Sequence, residues 1–394
     1  MLPSLGFLLS WESCSIDPLK NMRACFYKIH SNQNSNEGKE VSTLNIVGIG
    51  DLLIPENFIR EGFRNFEEAG ASLKTVSWKL GNYEELQNIN LLIETRGSEA
   101  YEIPDDILEA VRDADIIITQ FCPINRRVMD ACSRLKAVGV LRGGIENVNL
   151  PYASERGVAV FHTPGRNANA VADFTVGMIL AECRNIAKSH LNLKNGQWIR
   201  DYNNKDSVPD LADKVAGIVG FGEIGRRVAK RLAGFDMKIV AYDPFVQQAP
   251  DGIKMLSLEK LMEVSDFVTV HARLTEETEH LVSAEMLNLM KPTAYLINTA
   301  RSGLVDENAL CEALKEKKIM GAAIDVFDEE PPRKGYPLIE LENITVTPHL
   351  AGGTRDAFTS SPKLLSAEMI KLLEGTDSRF VLNPDVYRQQ FQKK

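Results

Sequence analysis

The feature that most constrains this chain is a glycine pattern past its midpoint, Gly220-Phe221-Gly222-Glu223-Ile224-Gly225. An apolar run over residues 215–219 precedes it and predicts a buried strand. A helical spacing of apolar residues follows as far as Phe235, and a second strand-like run ends at Asp243. A strand, a glycine turn, a helix and a second strand closed by an acid are the parts of a dinucleotide-binding unit.

Each glycine of this turn has its own expected task. Gly220 permits the tight turn, Gly222 lets a pyrophosphate approach the backbone, and Gly225 lets helix and strand pack closely. The phosphates are expected at the positive end of the helix, and Asp243 is expected to accept the ribose hydroxyls. Because an acid at that position repels a 2′-phosphate, the pattern predicts NAD as cofactor rather than NADP.

A second glycine pair, Gly48 and Gly50, also follows a strand-like run. Leu53 occupies the place where a third glycine belongs, and no acid closes a second strand at the expected distance. We interpret this pair as a structural turn, which assigns the cofactor to the middle of the chain.

Composition narrows the class of protein. The 394 residues suffice for two domains. A net charge of −9 argues against binding to nucleic acid or an anionic membrane, and no apolar run approaches the ~20 residues of a membrane helix. The six cysteines are scattered without metal-ligand spacing, which predicts reduced thiols, a cytoplasmic location and no metal site. Residues 1–40 are predicted to be a disordered extension outside the fold.

From residue 44 onward, strand-like and helical segments alternate, which predicts parallel sheets flanked by helices. One long helix is expected over residues 167–193, and a last helix over residues 355–373. We predict two doubly wound parallel-sheet α/β domains, a Rossmann-type nucleotide domain (151–351) inserted into a flavodoxin-like substrate domain (41–150 and 352–394). The chain is expected to pass from one domain to the other at the long helix and to return at the stretch Ala351-Gly352-Gly353.

Polar residues close successive strands of the nucleotide domain, where open α/β sheets hold their ligands. Arg301 follows one strand, the acidic run 325–330 follows the next, and His349 follows the third. Arginine matches a carboxylate, and histidine exchanges protons near neutral pH. The alternative for Asp328, Glu329 and Glu330 is a solvated acidic turn without chemistry.

Several ordered segments resemble the D-isomer-specific 2-hydroxyacid dehydrogenase family, which includes phosphoglycerate, glycerate and D-lactate dehydrogenases. The resemblance covers roughly residues 43–375. The segments that carry it are 162–165, 170–173, 220–225, 298–306, 321–331 and 347–354.

The resemblance implies functional residues by position. His349 corresponds to the base that takes the proton from the substrate's C2 hydroxyl, Glu330 to its acid partner, and Arg301 to the arginine that binds the carboxylate. Asp325 matches the residue that orients the nicotinamide amide. The implied cofactor-binding set is Gly220, Gly222, Glu223, Ile224, Gly225, Asp243, Thr299, Ala300, Asp325 and Gly352. The implied substrate-binding set is Arg142, Gly143 and Gly144, in a turn whose N–H groups hold the carboxylate.

The substrate stays open at this point. Arg142 and Arg273 either meet an anionic group or point to solvent, and Ser302 and Ala272-Arg273-Leu274 depart from the common family pattern. The expected partner is a small 2-hydroxy or 2-keto acid, and the family implies a homodimer built on the nucleotide domain. The histidines and charged residues that we expect to serve folding or subunit contacts are His162, His190, His271, His280, Arg166, Asp173 and Glu182.

Three alternatives remain beside a general D-2-hydroxyacid dehydrogenase. The first is phosphoglycerate dehydrogenase proper. The second is an NAD-sensing scaffold like the corepressors of the same family, which retain the catalytic residues. An L-lactate or malate type enzyme is disfavoured, because its glycine pattern lies near the N-terminus.

Overall fold

The computed structural model describes residues 43–246, 248–374 and 376–391. The chain forms two compact units, one ending at Arg166 and resuming at Phe358, the other spanning Asn167–Ala357. Each unit is built on its own parallel sheet. The predicted fold class, two parallel-sheet α/β domains, is confirmed.

The first unit contains a five-stranded sheet within the described residues, in the order β2-β1-β3-β4-β5. All of its pairings are parallel, and this order is that of flavodoxin-like sheets. Ile116 and Ile118 of β3 pack into one core and Ile117 into another, as the two-residue period of a strand buried on both faces requires. The strands are β1 (Asn45–Gly50), β2 (Ser72–Ser77), β3 (Ile116–Thr119), β4 (Ala137–Val140) and β5 (Ala159–Phe161).

The second unit contains a seven-stranded parallel sheet in the described part of the chain, in the order β12-β11-β10-β9-β6-β7-β8. The chain order reverses between β6 and β9, which is the Rossmann switch point. The strands are β6 (Val215–Val219), β7 (Lys238–Tyr242), β8 (Ile253–Met255), β9 (Phe267–Val270), β10 (Tyr295–Asn298), β11 (Gly321–Ile324) and β12 (Ile344–Val346).

Helices connect the strands, and several begin at side-chain caps. Asn82, Asn125, Asn149, Ser257 and Asp306 each accept a backbone N–H from the first turn of the helix that follows. The helices are α1 (Glu56–Gly62), α2 (Arg64–Glu68), α3 (Tyr83–Arg96), α4 (Asp105–Val111), α5 (Arg126–Ala131), α6 (Leu150–Glu155), α7 (Ala168–Cys183), α8 (Ile186–Lys194), α9 (Glu223–Ala233), α10 (Leu258–Val264), α11 (Ala284–Leu289), α12 (Glu307–Lys315), α13 (Arg355–Glu374) and α14 (Pro384–Phe391).

Two expectations differ from the structure. The predicted long helix over 167–193 is two helices, because Asn185 adopts a left-handed conformation (φ 57°) between α7 and α8 and its amide donates to Asn204 (2.8 Å). The second unit spans Asn167–Ala357 rather than 151–351, since β5 pairs with β4 in the sheet of the first unit. The predicted crossing Ala351-Gly352-Gly353 therefore lies inside the second unit, and the first unit resumes only at Phe358. The predicted extension over residues 1–40 lies outside the described residues.

Candidate active site

The glycine turn joins β6 to α9 at the switch point of the second sheet. Gly220 has φ 92°, and a side chain there would overlap the backbone of His271 and Ala272. A Cβ at Gly225 would overlap the carbonyl oxygen of Gly220. Both glycines are therefore needed by the fold itself.

Gly222 differs from its two neighbours in the pattern. A Cβ at this position would meet no atom of the described residues within 4 Å, and its φ of −83° is open to any residue. Gly222 also precedes α9, whose first N–H groups have no acceptor within the helix. The protein does not need a glycine here for its own packing, so the open backbone fits a ligand with negative charge, as an NAD pyrophosphate would be.

Asp243 lies directly after β7, beside the glycine turn. Its Oδ2 accepts the N–H of Phe221 (2.8 Å), and its Oδ1 accepts the N–H of Phe245 (2.9 Å). An ionised carboxylate has about four acceptor sites, so both oxygens can still accept a ribose hydroxyl. Asp243 thus holds the turn in place, and it remains the candidate for discrimination against a 2′-phosphate.

We expect wild-type protein to bind NADH more tightly than NADPH. Asp243→Ser should shift the ratio of the two dissociation constants toward NADPH by about tenfold, because a like charge beside the 2′-phosphate is removed. Fluorescence titration of both nucleotides measures the ratio, with the exposed Asp251→Ser as control. Equal affinities in the wild type would contradict the role of Asp243.

The strands β10, β11 and β12 are neighbours, and their carboxyl ends bring together the predicted polar residues. Asn298 organises the first loop, since its side chain accepts the N–H of Ala300 (3.0 Å) and donates to the carbonyl of Arg301 (2.9 Å). The Thr299 and Thr175 hydroxyls are 2.8 Å apart, in buried positions. Sequence reasoning missed Asn298 and Thr175, although Asn298 ends its strand directly before the predicted Thr299-Ala300-Arg301.

Asp325 is fully buried at the end of β11. Its carboxylate accepts the Thr347 hydroxyl (2.6 Å) and the backbone N–H groups of Leu350 (2.9 Å) and Ala351 (2.8 Å), and its carbonyl accepts the N–H of His349 (2.9 Å). Asp325 therefore fixes the loop that carries His349. The sequence suggested only a contact with the cofactor for this residue. Gly352, in the same loop, lies against the side chain of Asn167.

The central pair of the site is His349 and Glu330. Nδ1 of His349 lies 2.8 Å from Oε2 of Glu330, and a carboxylate only accepts, so Nδ1 is the donor. The other oxygen, Oε1, accepts the N–H of Phe327 (3.0 Å). Glu330 is thus tied to its own loop on one side and holds the imidazole on the other, which leaves Nε2 as the second ring nitrogen.

The pKa values of His349 and Glu330 are shifted in the directions that suit proton exchange by the imidazole. The hydrogen bond to Glu330 raises the pKa of His349 above its usual value, against the opposing effects of burial and of Arg301. Burial works to raise the pKa of Glu330, but the hydrogen bond and charge of His349, with Arg301, hold it below its usual value. Arg301 follows the neighbouring strand β10, and its charge lowers the pKa of both groups.

The predicted substrate residues Arg142, Gly143 and Gly144 lie in the first unit, in the loop that follows β4. The loop is anchored by His162, whose Nδ1 lies 2.8 Å from the carbonyl of Gly143 and whose neighbour Thr163 donates its N–H to the carbonyl of Arg142 (3.0 Å). His162 thus has a structural contact, as expected. Arg142 forms ion pairs rather than pointing to solvent.

Among the other charged residues, Glu182 and Asp173 make contacts within the second unit. Buried Glu182 accepts from Lys188 (2.7 Å) and from the Thr345 hydroxyl (2.6 Å), and Asp173 pairs with Arg231. The described residues contain no group of His, Cys, Asp and Glu side chains arranged to hold a metal ion. In the same part of the chain, no helix is long and apolar enough to cross a membrane.

Comparison with known proteins decides the family. The glyoxylate reductase of Thermofilum pendens is 39% identical over 290 residues, which cover 72% of this chain and 86% of that protein. Residues 176–351 match the family model "D-isomer specific 2-hydroxyacid dehydrogenase, NAD binding domain". This chain belongs to the D-isomer specific 2-hydroxyacid dehydrogenase family. The family resemblance of the sequence motifs, the NAD cofactor and the oxidoreductase class are thereby confirmed: the protein is an NAD-dependent enzyme acting on the CH–OH group of a 2-hydroxy acid.

Two further matches are a longer relative, which this chain matches over only part of its length, and a solved structure. The D-3-phosphoglycerate dehydrogenase of Methanocaldococcus jannaschii is 35% identical over 295 residues, 73% of this chain, but the match spans only 56% of that longer protein. An NAD-complexed D-isomer specific 2-hydroxyacid dehydrogenase from Lactobacillus delbrueckii ssp. bulgaricus superposes with a TM-score of 0.68 at 20% identity, covering 86% of this chain and 100% of that one. The latter similarity is one of fold.

Proposed function

We propose that this chain interconverts a D-2-hydroxy acid and its 2-keto acid with His349 as acid–base, Glu330 as its partner and Arg301 as carboxylate ligand. The observation that carries the proposal is the 2.8 Å contact between His349 and Glu330, with Arg301 close enough to affect the pKa of both. The homologous glyoxylate reductase supports a small 2-keto acid as substrate.

Each residue has a distinct task in this mechanism. Nε2 of His349 gives its proton to the C2 oxygen during reduction and takes it back during oxidation. Glu330 stabilises the imidazolium and fixes the tautomer, since it accepts from Nδ1. The planar fork of Arg301 binds the substrate carboxylate and polarises the C2 oxygen.

The cofactor is expected to lie along the glycine turn. The residues proposed to hold it are Gly222 with the first turn of α9 (Glu223, Ile224 and Gly225), Asp243, and the loops of Thr299, Ala300, Asp325 and Gly352. When bound, the nicotinamide supplies the hydride donor or acceptor for C2. The contribution of the chain is to place the substrate carbon and to move its proton.

A panel of 2-keto acids tests the proposal. NADH oxidation is followed with glyoxylate, pyruvate, hydroxypyruvate and phosphohydroxypyruvate, and the product of the best substrate is analysed for the D configuration. Turnover with a D product is expected. A clear preference for phosphohydroxypyruvate would favour phosphoglycerate dehydrogenase proper, and tight NADH binding without turnover of any acid would favour the NAD-sensing scaffold.

We also propose that the protein is a cytoplasmic homodimer associating through the second unit. Exposed apolar side chains cluster on α8 and in the segment after it, and such patches mark association surfaces. They are Ile186, Leu191, Leu193, Trp198 and Ile199, with Trp198 79% exposed. The cytoplasmic location is supported by the free thiols of Cys122, Cys132, Cys183 and Cys311.

Light scattering after gel filtration checks the dimer. The wild type is expected to elute with twice the chain mass, and Leu191→Glu with Leu193→Glu to shift it to monomer, because two buried charges would oppose association. Leu91→Glu, at an exposed site on α3 of the first unit, is the matched control. A wild-type monomer would contradict the proposal.

A further inference from the structure

Residues 325–336, which follow β11 and which we call the Glu330 loop, are anchored by two successive backbone N–H groups. The N–H of Phe327 donates to Glu330 Oε1 (3.0 Å), and the N–H of the next residue, Asp328, donates to Glu307 Oε2 (2.9 Å). Glu307 is the first residue of α12, outside this loop but within the same unit. The conformation of the Glu330 loop therefore depends on a carboxylate that another element supplies.

The Glu330 loop has no regular structure of its own, since no helix or strand lies between the end of β11 and the start of β12, a stretch that the structure describes throughout. Tyr336 closes the loop, because its ring packs edge-on against that of Phe327 with 5.9 Å between the centroids, and both are buried. Arg333 lies over the same Tyr336 ring, 5.7 Å from its centroid. The position of Glu330 thus rests on individual side-chain contacts rather than on a backbone ladder.

Glu307 is a partly buried carboxyl group that serves the loop as a hydrogen-bond acceptor. Burial raises its pKa, the Tyr336 hydroxyl and the Asp328 N–H oppose this effect, and the charge of Asp328 adds to it. Burial and the neighbouring Glu307 likewise raise the pKa of Tyr336, so the hydroxyl stays protonated and can donate. The groups that act on Glu307 are therefore a hydroxyl, a backbone N–H and an acid, rather than a cation.

A simpler role for Glu307 is that of an acid in the first turn of α12, where a negative charge favours the helix dipole. Aspartate at the same position would fill that role, and the cap of the helix is supplied by Asp306. The side chain of aspartate is one carbon shorter, however, and would fall short of the Asp328 N–H. Side-chain length therefore separates the contact with the loop from the role in the helix.

We propose that Glu307 is a positioning residue that holds the Glu330 loop in the conformation in which Glu330 accepts the hydrogen bond of His349. This inference rests on the proposed function, in which that pair exchanges the proton of the substrate. Besides burial, the groups that shift the pKa of His349 are Glu330, Arg301 and Asp325. Glu307 consequently acts on the imidazole through the geometry of the loop and not through its own charge.

The experiment compares Glu307→Asp and Glu307→Gln with Glu312→Asp, which makes the first change at an exposed position of the same helix. Glu307→Asp should lower kcat about tenfold, because a displaced acid–base pair loses its alignment with the substrate. It should also lower the pKa of His349, which moves the alkaline limb of the reduction profile to lower pH. Glu307→Gln keeps an acceptor oxygen at the same reach and should lose less, and Glu312→Asp should match the wild type.

A double variant tests whether Glu307 acts through Glu330. In the Glu330→Gln background the hydrogen bond that Glu307 protects is already weakened, so Glu307→Asp should produce no further shift of the alkaline limb. A full additional shift would overturn the proposed route through the loop. Equal losses in Glu307→Asp and Glu307→Gln would overturn it as well, because the contact with the Asp328 N–H needs reach rather than charge.

The pKa of His349 can also be measured without turnover, from the imidazole NMR signal that is missing in His349→Asn. Absence of turnover with every 2-keto acid overturns the proposed function, whereas an unchanged pKa of His349 in Glu307→Asp overturns the positioning role. If Glu307→Asp does not fold by circular dichroism, Tyr336→Phe replaces it, since it removes the hydroxyl beside Glu307 and keeps the ring against Phe327. The pKa of His349 should fall there too, and an unchanged value would again count against the role of Glu307.

Discussion

Replacing His349 by alanine or asparagine is expected to lower kcat for keto-acid reduction by about 10²–10⁴-fold, because the proton of the C2 oxygen loses its donor. His349 has φ 53°, a conformation that asparagine tolerates better than alanine. The asparagine variant therefore separates lost chemistry from backbone strain. Steady-state kinetics measure the loss, and NADH titration of the same variants should show nearly unchanged cofactor affinity. Activity near the wild-type level would place the acid–base elsewhere.

A second variant of the same pair, Glu330→Gln, is tested by measuring how the rates of reduction and oxidation depend on pH. The hydrogen bond to Glu330 raises the pKa of His349, and reduction needs the protonated imidazole. With glutamine in its place the pKa of His349 falls, so the alkaline limb of the reduction profile should move to lower pH. The oxidation reaction needs the neutral imidazole, so its acidic limb should move to lower pH as well. If both limbs stayed at their wild-type pH, Glu330 would not control the titration of His349.

The second large effect is expected for Gly220→Ala. The added methyl carbon would lie 2.6 Å from the carbonyl carbon of His271 and overlap the backbone nitrogen of Ala272, neither of which is a side chain that can turn away. The φ of 92° adds backbone strain. We expect the free energy of unfolding to fall by about 2–5 kcal/mol. Urea denaturation followed by circular dichroism measures the loss.

Gly222→Ala is the matched control within the same turn. Its Cβ would meet no atom within 4 Å in the part of the chain that the structure describes, so the free energy of unfolding should stay near the wild-type value. NADH affinity should nevertheless fall, because the methyl group occupies the approach of the pyrophosphate to the backbone. If Gly222→Ala bound NADH as tightly as the wild type, the cofactor would have to lie elsewhere. Equal stability of both variants and the wild type would contradict the packing argument for Gly220.

Much of the fold could be predicted because its signals are local. The buried runs that became β6 and β7, the glycine turn between them and the acid after β7 all lie within thirty residues of sequence. Arg301 and His349 could be found for the same reason, since each lies three residues after the last residue of a strand. Glu330 was placed by its position before a proline, and its contact with His349 then appears in the structure.

The assignment of segments to sheets could not be predicted equally well. Residues 159–161 have the apolar pattern of any buried strand, and nothing within that run tells which sheet it joins. The break at Asn185 was missed because the apolar pattern continues on both sides, and the conformation of Asn185 depends on its bond to Asn204. Such choices are decided by tertiary contacts that override local preference.

The sequence by itself determined the cofactor class, the fold class and the candidate catalytic residues, because each is encoded in the order of neighbouring residues along single strands, turns and helices. Only the tertiary structure decided which groups act on one another. Arg142 meets Glu94 from another element, and Asp325 fixes the His349 loop from a neighbouring strand. The physical reason is that charge pairing and burial depend on distances in space, and these are set only when the sheets are assembled.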